Sequence, residues 1–425
     1  MSKILTTIGP ATESYKSLKK IIKFTKVLRL NGAHGKISWH KKISKNIKKI
    51  DNKSEILLDL PGVKPRLNIS HDINIKINEL VLLSNKPFKT SLRIKKLPLT
   101  NSLPRVPKKS RFLSINDGKY KFKILKKNKK SILAKSLQSC VLEPKKGINI
   151  PFSIYNENLQ KKIYFKFLKK AKNIKYNAIG LSYVQSPKII KDLKTKYKNT
   201  VIVSKIENIE GLNNINEITK ISDAIMIDRG DLSAEIGENG LFSAIEKISK
   251  FTKQNGLPLI MATENLESMT NKSKILNPSK SEIVSLSYSI SLGADKIMLS
   301  EETAVSDNWE NIIKWMDNFL KNKKTKKNKD LNKSKVFWNA VKNLNNIPIV
   351  CFSKKGYALD KIRGSSNTKN LTVFTESKIT KSKSAFSGNT SCFLTIKFPK
   401  KNIDLFIYKS IKKKKKQIFN LSKNV

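Results

Sequence analysis

Histidine is scarce in this chain. His34, His40 and His71 are the three present among 425 residues, and no serine is paired with one in a nucleophilic arrangement. That argues against a Ser–His–acid hydrolase. No glycine-rich P-loop appears, so that route to nucleotide phosphates is excluded as well. Cysteine is equally rare. Cys140, Cys351 and Cys392 lie far apart without metal-type spacing, and they read as reduced thiols of a cytoplasmic protein. No apolar run approaches the roughly 18 residues that a membrane span needs. The opening stretch MSKILTTIGP reads as a short strand ending in a Gly-Pro turn rather than a targeting segment.

Arginine is short too, although positive charge is not. Of 86 basic residues seven are arginine and 79 lysine, against 32 acidic residues, for a formal charge of +54. Such a balance raises the question of nucleic-acid binding. A selected phosphate or base-reading surface favours arginine, which binds bidentately and stacks. Here lysine is spread along the whole chain beside abundant asparagine and isoleucine, as an AT-rich coding sequence would produce. The excess therefore reads as compositional drift, with no specific nucleic-acid partner expected. It still attracts anionic ligands.

Eight short apolar runs recur, at 3–9, 26–32, 55–60, 177–184, 200–205, 223–228, 258–263 and 295–300. Most are bounded by Asn, Asp, Gly or Pro and separated by helix-length segments. Continuous apolar strands alternating with helices imply a parallel sheet covered on both faces. Eight such units close a TIM barrel. The expected fold is α/β, a (β/α)8 barrel with an inserted small β domain and a C-terminal α/β domain. The expected boundaries are 1–68 for the first three strands, 69–146 for the insert, 147–320 for the rest of the barrel, 321–334 for a charged linker and 335–425 for the C-terminal domain.

Barrel chemistry sits at the carboxyl ends of the strands. Those ends carry Arg29 and Asn31, Asp59, Ser182, Lys205 with Glu207, Asp231, Thr263, and Ser300 with Glu302. Lys205 and Glu207 are two residues apart, so an extended chain sends both to one face. Glu207 and Asp231 are hard carboxylates suited to Mg²⁺, with Mn²⁺ a possible substitute. Lys205 and Arg29 suit a transferring phosphoryl group. The Gly-Asp turn in DRGDLSAEIG opens a helix whose N–H groups can hold a small anion, and Thr263 offers a hydroxyl to orient water or relay a proton. The residues alone point to metal-assisted phosphoryl transfer involving a small anion.

The stretches TTIGPATES, VLRLNGAHG, ILLDLPGVKPR, KKGINIP, VSKIENIEGLNNINEI, AIMIDRGDLSAEIG, MATENLESM and KIMLSEETA, in this order, resemble the pyruvate kinase family over about residues 3–304. The short C-terminal domain keeps only traces such as FSKKGYALDKIRGSS. The resemblance implies transfer of phosphate from phosphoenolpyruvate to ADP and a homotetramer in the cytoplasm. It implies that Lys205 stabilises the phosphoryl group and the enolate, and that Arg29 holds the phosphoryl. The Gly230 and Asp231 N–H groups hold the substrate carboxylate, and Thr263 stands near the enolate face that is protonated. Glu207 and Asp231 ligate Mg²⁺, while Asn31 and Arg66 serve the nucleotide. Departures from the family pattern stand at Ala33 for Ser, Leu60 for Thr, Lys64 for Glu, Asp228 for Ala, Glu264 for Gln and Glu301 for Gly. SIYNENL does not match the usual Thr-Glu-Lys-Asp run. With Ala33 and Leu60 a K⁺ ion loses two ligands, so K⁺ is not expected to be required. The Lys64 ammonium is expected to replace it, near Asn31 and Asp59. Two other readings remain: a decayed kinase fold binding RNA or another polyanion, and a different Mg²⁺-dependent phosphoenolpyruvate or pyruvate barrel such as an aldolase-type lyase.

Overall fold

The computed structural model describes residues 3–87, 94–198, 200–270 and 276–322, and beyond these the strands Ile349–Phe352, Leu371–Phe374, Cys392–Lys397, Asp404–Lys409 and Ile418–Asn420. The chain divides into two units, 1–323 and 324–425.

In the first unit the eight apolar runs form eight strands: Lys3–Ile8, Val27–Asn31, Glu55–Leu60, Ala178–Leu181, Val201–Ile206, Ala224–Asp228, Leu259–Ala262 and Lys296–Leu299. Each pairs in parallel with the next, and the first pairs with the eighth, closing the barrel. Two-residue periodicity sorts their side chains. Ile4, Leu28, Leu58, Ile202, Ile225 and Ile297 face out into one large core with the helices. Leu5, Leu57, Val203, Met226, Ile260 and Met298 face in and form an apolar plug. One step further along the same inward rows come Arg29, Asp59, Lys205 and Asp228. The apolar plug thus supports a charged layer at the carboxyl rim. The outer helices are amphipathic: Trp309–Asn322 buries Ile312, Ile313, Met316 and Leu320 at three- and four-residue spacing.

Between the third and fourth barrel strands the chain forms a six-stranded sheet and a two-stranded ribbon. They have their own core, including Val81, Leu83, Leu113, Phe122, Ile132 and Leu142. The last strand of that sheet, Ile148–Asn149, runs just past the expected boundary at 146. In the second unit, Ile349–Phe352 pairs in parallel with Leu371–Phe374, and Cys392–Lys397, Asp404–Lys409 and Ile418–Asn420 form an antiparallel sheet. Any helices of the expected α/β domain, and nearly all of the expected linker, lie outside the described residues. Among the described residues no helix is long and apolar enough to cross a membrane.

The return from the insert is anchored on helix Arg229–Ile236 through a buried polar seam. The Phe152 N–H donates to the Glu235 carbonyl at 3.3 Å. The Tyr155 hydroxyl and the Asn149 amide donate to Glu235 Oε1 at 2.6 and 3.2 Å. Glu235 Oε2 is buried without a hydrogen-bond partner. Burial pushes this carboxyl up to about 8, against the opposing pull of the Tyr155 hydrogen bond and the Lys64 charge.

A group held protonated in the fold but ionised in the unfolded chain loses its stabilising effect as pH rises towards its folded-state value. Stability measured by urea unfolding is therefore expected to fall between about pH 5 and 8 by up to about 1.4 kcal/mol per pH unit from this group. Glu235→Gln is expected to flatten that slope. An unchanged slope in the variant contradicts the assignment.

Candidate active site

The rim is built around Lys205, whose side chain is 5% exposed. Its Nζ lies 2.7 Å from Glu207 Oε1, 3.2 Å from Asp59 Oδ2 and 3.7 Å from Asp228 Oδ2, and donates to Ser182 Oγ at 3.2 Å. Burial works against the ammonium, but Asp59, Glu207 and Asp228 outweigh it and hold its pKa above the ordinary lysine value. Asp59 in turn receives Arg29 Nε and Nη2, both at 2.8 Å on Oδ2. Burial raises the Asp59 pKa, yet Lys205 and Arg29 together bring it below the usual carboxylate range. Arg29 Nη1 donates to Thr7 Oγ1 at 3.0 Å. Three of its five N–H groups are used in these contacts, and two remain for a ligand.

Asp231 sits in the first turn of helix Arg229–Ile236. Its Oδ1 accepts the Lys64 ammonium, the Tyr183 hydroxyl at 2.9 Å and the Asn149 amide at 3.2 Å. Burial opposes ionisation, but the Lys64 charge outweighs it and holds the carboxyl at about 2. Glu207 Oε2 accepts the Tyr183 backbone N–H at 2.5 Å. Burial raises the Glu207 pKa, while Lys205 opposes the rise. Carboxylate oxygens of Glu207, Asp228 and Asp231 all lie within 4.8 Å of one another. This set of hard oxygen donors fits a divalent Mg²⁺ or Mn²⁺ ion.

Two groups have partners that the sequence reading did not foresee. Lys64 is buried as a site residue should be, but its ammonium does not join Asp59. It pairs with Asp231 and, at 2.7 Å, with Asp117 of the inserted domain. The physical reason is that Arg29 and Lys205 already neutralise Asp59, and Asn31 turns its amide oxygen to the Ala33 N–H at 3.1 Å. Gly147 leaves room for this path, because a Cβ there would overlap the Lys64 side chain. The Gly230 and Asp231 N–H groups, expected to be open to a substrate carboxylate, are engaged within the chain. Gly230 N–H donates to Thr263 Oγ1 at 3.1 Å, and Asp231 N–H reaches Asp228 Oδ1 at 3.5 Å. Asp228, standing where the family commonly has alanine, caps the helix with its carboxylate and also accepts from Thr263 Oγ1 at 3.2 Å.

Thr263 is displayed by a turn in which it and Glu264 both have left-handed backbone, with φ of 61° and 51°. Arg229, buried, holds that turn by donating to the Thr263 and Glu264 carbonyls and to Asn265 Oδ1. Thr263 and Glu264, with Lys205, Glu207, Asp228 and Asp231, line a cleft of about 2170 Å³ between the barrel rim and the insert, which Asn31 and Arg66 also line. Beside Arg66 the cleft is strongly positive. Burial, followed by Arg66, Arg29, Lys145 and Lys146, lowers the His34 pKa to about 4. Tyr183, Asn149 and Asp117 were not singled out from sequence. The tyrosine of LSYV at the fourth strand's end carried a readable signal, a polar tip at the rim. Asp117 reads only as the turn of a hairpin, and nothing local ties it to the barrel.

The barrel-domain model of the pyruvate kinase family matches residues 1–311. The chain is 30% identical to the pyruvate kinase of Thermococcus litoralis over 318 residues, covering 72% of this chain and 66% of the relative. It is 30% identical to that of Dictyostelium discoideum over 324 residues, covering 72% and 63%. It is 32% identical to that of Buchnera aphidicola subsp. Schizaphis graminum over 331 residues, covering 71% and 66%. The match thus spans just under two thirds of these relatives' length. With the barrel, the rim cluster and a family match over most of its length, the chain belongs to the pyruvate kinase family.

Proposed function

We propose that this protein transfers the phosphoryl group of phosphoenolpyruvate to ADP, with Mg²⁺ or Mn²⁺, giving pyruvate and ATP in cytoplasmic glycolysis. The homotetrameric assembly belongs to the same reading and rests on the family alone. The observation that supports the chemistry best is the buried Lys205 ammonium, set among Asp59, Glu207 and Asp228 beside Arg29. A divalent ion held by Glu207 and Asp231 supplies charge neutralisation for the phosphoryl oxygens.

An oxygen of the ADP β-phosphate forms the new bond to phosphorus as the bond from phosphorus to the enol oxygen breaks. The departing electron pair makes an enolate, and a proton then enters at its terminal carbon. Lys205 stabilises the phosphoryl oxygens and the enolate oxygen. Arg29, braced by Asp59 and Thr7, presents its two remaining N–H groups to the phosphoryl group. Thr263 orients the proton source at the enolate face. For the substrate carboxylate to reach the Gly230 and Asp231 N–H groups, the Thr263 hydroxyl and the Asp228 carboxylate must yield them. Arg66 and Asn31 serve the nucleotide side of the cleft, where fixed cations attract its phosphates.

Lys64 places a permanent ammonium among the rim carboxylates, while Ala33 and Leu60 offer no side-chain oxygen to a K⁺ ion. We therefore propose that no K⁺ is required.

Two outcomes follow. Lys205→Met is expected to slow pyruvate formation, followed in a coupled assay, by about 10²–10³-fold, the usual loss for one preorganised charge donor. Turnover close to the unmodified protein's removes Lys205 from the mechanism. Replacing K⁺ by tetramethylammonium at equal ionic strength is expected to leave the rate unchanged. Lys64→Ala is expected to lose most of the activity, with no restoration by K⁺. A protein that is inert until K⁺ is added contradicts the role given to Lys64.

A further inference from the structure

Tyr183 touches both carboxylates assigned to the divalent ion. Its backbone N–H donates to Glu207 Oε2 at 2.5 Å, and its hydroxyl donates to Asp231 Oδ1 at 2.9 Å. Glu207 follows the fifth barrel strand and Asp231 lies in the helix after the sixth, so one residue joins two separately supported ligands. The cost of this placement is visible in the backbone. Tyr183 has φ of 59°, a left-handed conformation that a bulky side chain adopts rarely and that concentrates at functional sites.

The side chain is held from several directions. It is 2% exposed. Its ring meets that of Tyr155 edge-on at 4.9 Å. Its hydroxyl accepts the Asn149 amide at 3.2 Å, which leaves the phenolic proton for Asp231. Gly62 makes the space, since a Cβ there would lie 3.2 Å from the ring. Asp231 Oδ1 is filled by Lys64, Tyr183 and Asn149, so the oxygen left for an ion is Oδ2.

We propose that Tyr183 is a positioning residue that braces Glu207 and Asp231 at one separation and orientation, directing Asp231 to bind a divalent ion through Oδ2. This rests on the proposed metal site. Outer-shell partners of this kind typically govern metal affinity by 10–100-fold. Removing the hydroxyl leaves the Glu207 contact, which is backbone, and releases Asp231 together with the Asn149 amide.

The test is a Mn²⁺ titration of the full chain, with free Mn²⁺ followed by electron paramagnetic resonance. Tyr183→Phe is expected to weaken Mn²⁺ binding about tenfold. Its melting temperature without metal is expected to fall modestly, because two buried partners lose a hydrogen bond, and its kcat at saturating Mn²⁺ is expected to change less than its Mn²⁺ affinity, so that the loss sits chiefly in metal binding. Tyr155→Phe, which removes a neighbouring hydroxyl that does not contact the metal carboxylates, is expected to bind Mn²⁺ normally. Asp231→Asn is the control for the site itself and is expected to abolish tight binding. If the unmodified protein binds no Mn²⁺, or Asp231→Asn binds it as well as the unmodified protein, the metal reading fails. If that control behaves as expected but Tyr183→Phe matches the unmodified protein, or Tyr155→Phe weakens binding equally, the brace is overturned and the metal site stands.

Discussion

An ammonium cannot be buried in a barrel without carboxylates around it. Taking a charge out of water costs several kcal/mol even after relaxation, and only close, well-placed partners offset it. Lys205 meets that condition through Glu207, Asp59 and Asp228. Each partner sets a further requirement. Asp59 must be shared with Arg29, Glu207 is fixed by the Tyr183 backbone, and Asp228 caps the next helix while accepting from Thr263. The rim is therefore one connected electrostatic unit. Among the described residues Lys64 and Lys205 are the buried lysines, and both lie in it. The remaining described lysines are at least partly exposed, which separates the site's selected cations from the general lysine excess.

The excess of carboxylates is what makes the cluster receptive. Three carboxylates share one small volume at the rim, and burial opposes the ionisation of each. In the proposed reaction a divalent ion would relieve that opposition and bring positive charge to the phosphoryl oxygens. The insert takes part directly, because Asp117 shares the Lys64 ammonium with Asp231. The state of Asp231 is thus linked to a hairpin of the covering domain by a single side chain.

Much of this was legible in the sequence for a simple reason. A parallel barrel buries both faces of its strands, so each strand is largely an apolar run, and in the second, third, fifth and sixth a charged residue, Arg29, Asp59, Lys205 and Asp228, breaks it near the carboxyl end. The two-residue spacing of Lys205 and Glu207 placed both in the barrel on the same side, and the structure keeps them there. Three things were hidden. The destination of Lys64 depends on Asp117, which a hairpin of another domain delivers. The bond of Tyr183 to Asp231 depends on a left-handed residue that no pattern of apolar and polar positions encodes. The engagement of the Gly230 and Asp231 N–H groups depends on where the Asp228 carboxylate turns, a choice between capping a helix and facing a cleft that is made only when both are assembled.

Phosphorus-31 NMR tests the central claim most directly, because it follows the transferred atom itself. With the protein, phosphoenolpyruvate, ADP and Mg²⁺ together, the phosphoenolpyruvate resonance is predicted to fall as the ATP γ-phosphate resonance rises in equal amount, and a chelator is predicted to stop both. A spectrum that stays constant with Mg²⁺ present, or phosphoenolpyruvate lost to inorganic phosphate with no ATP formed, would contradict the account.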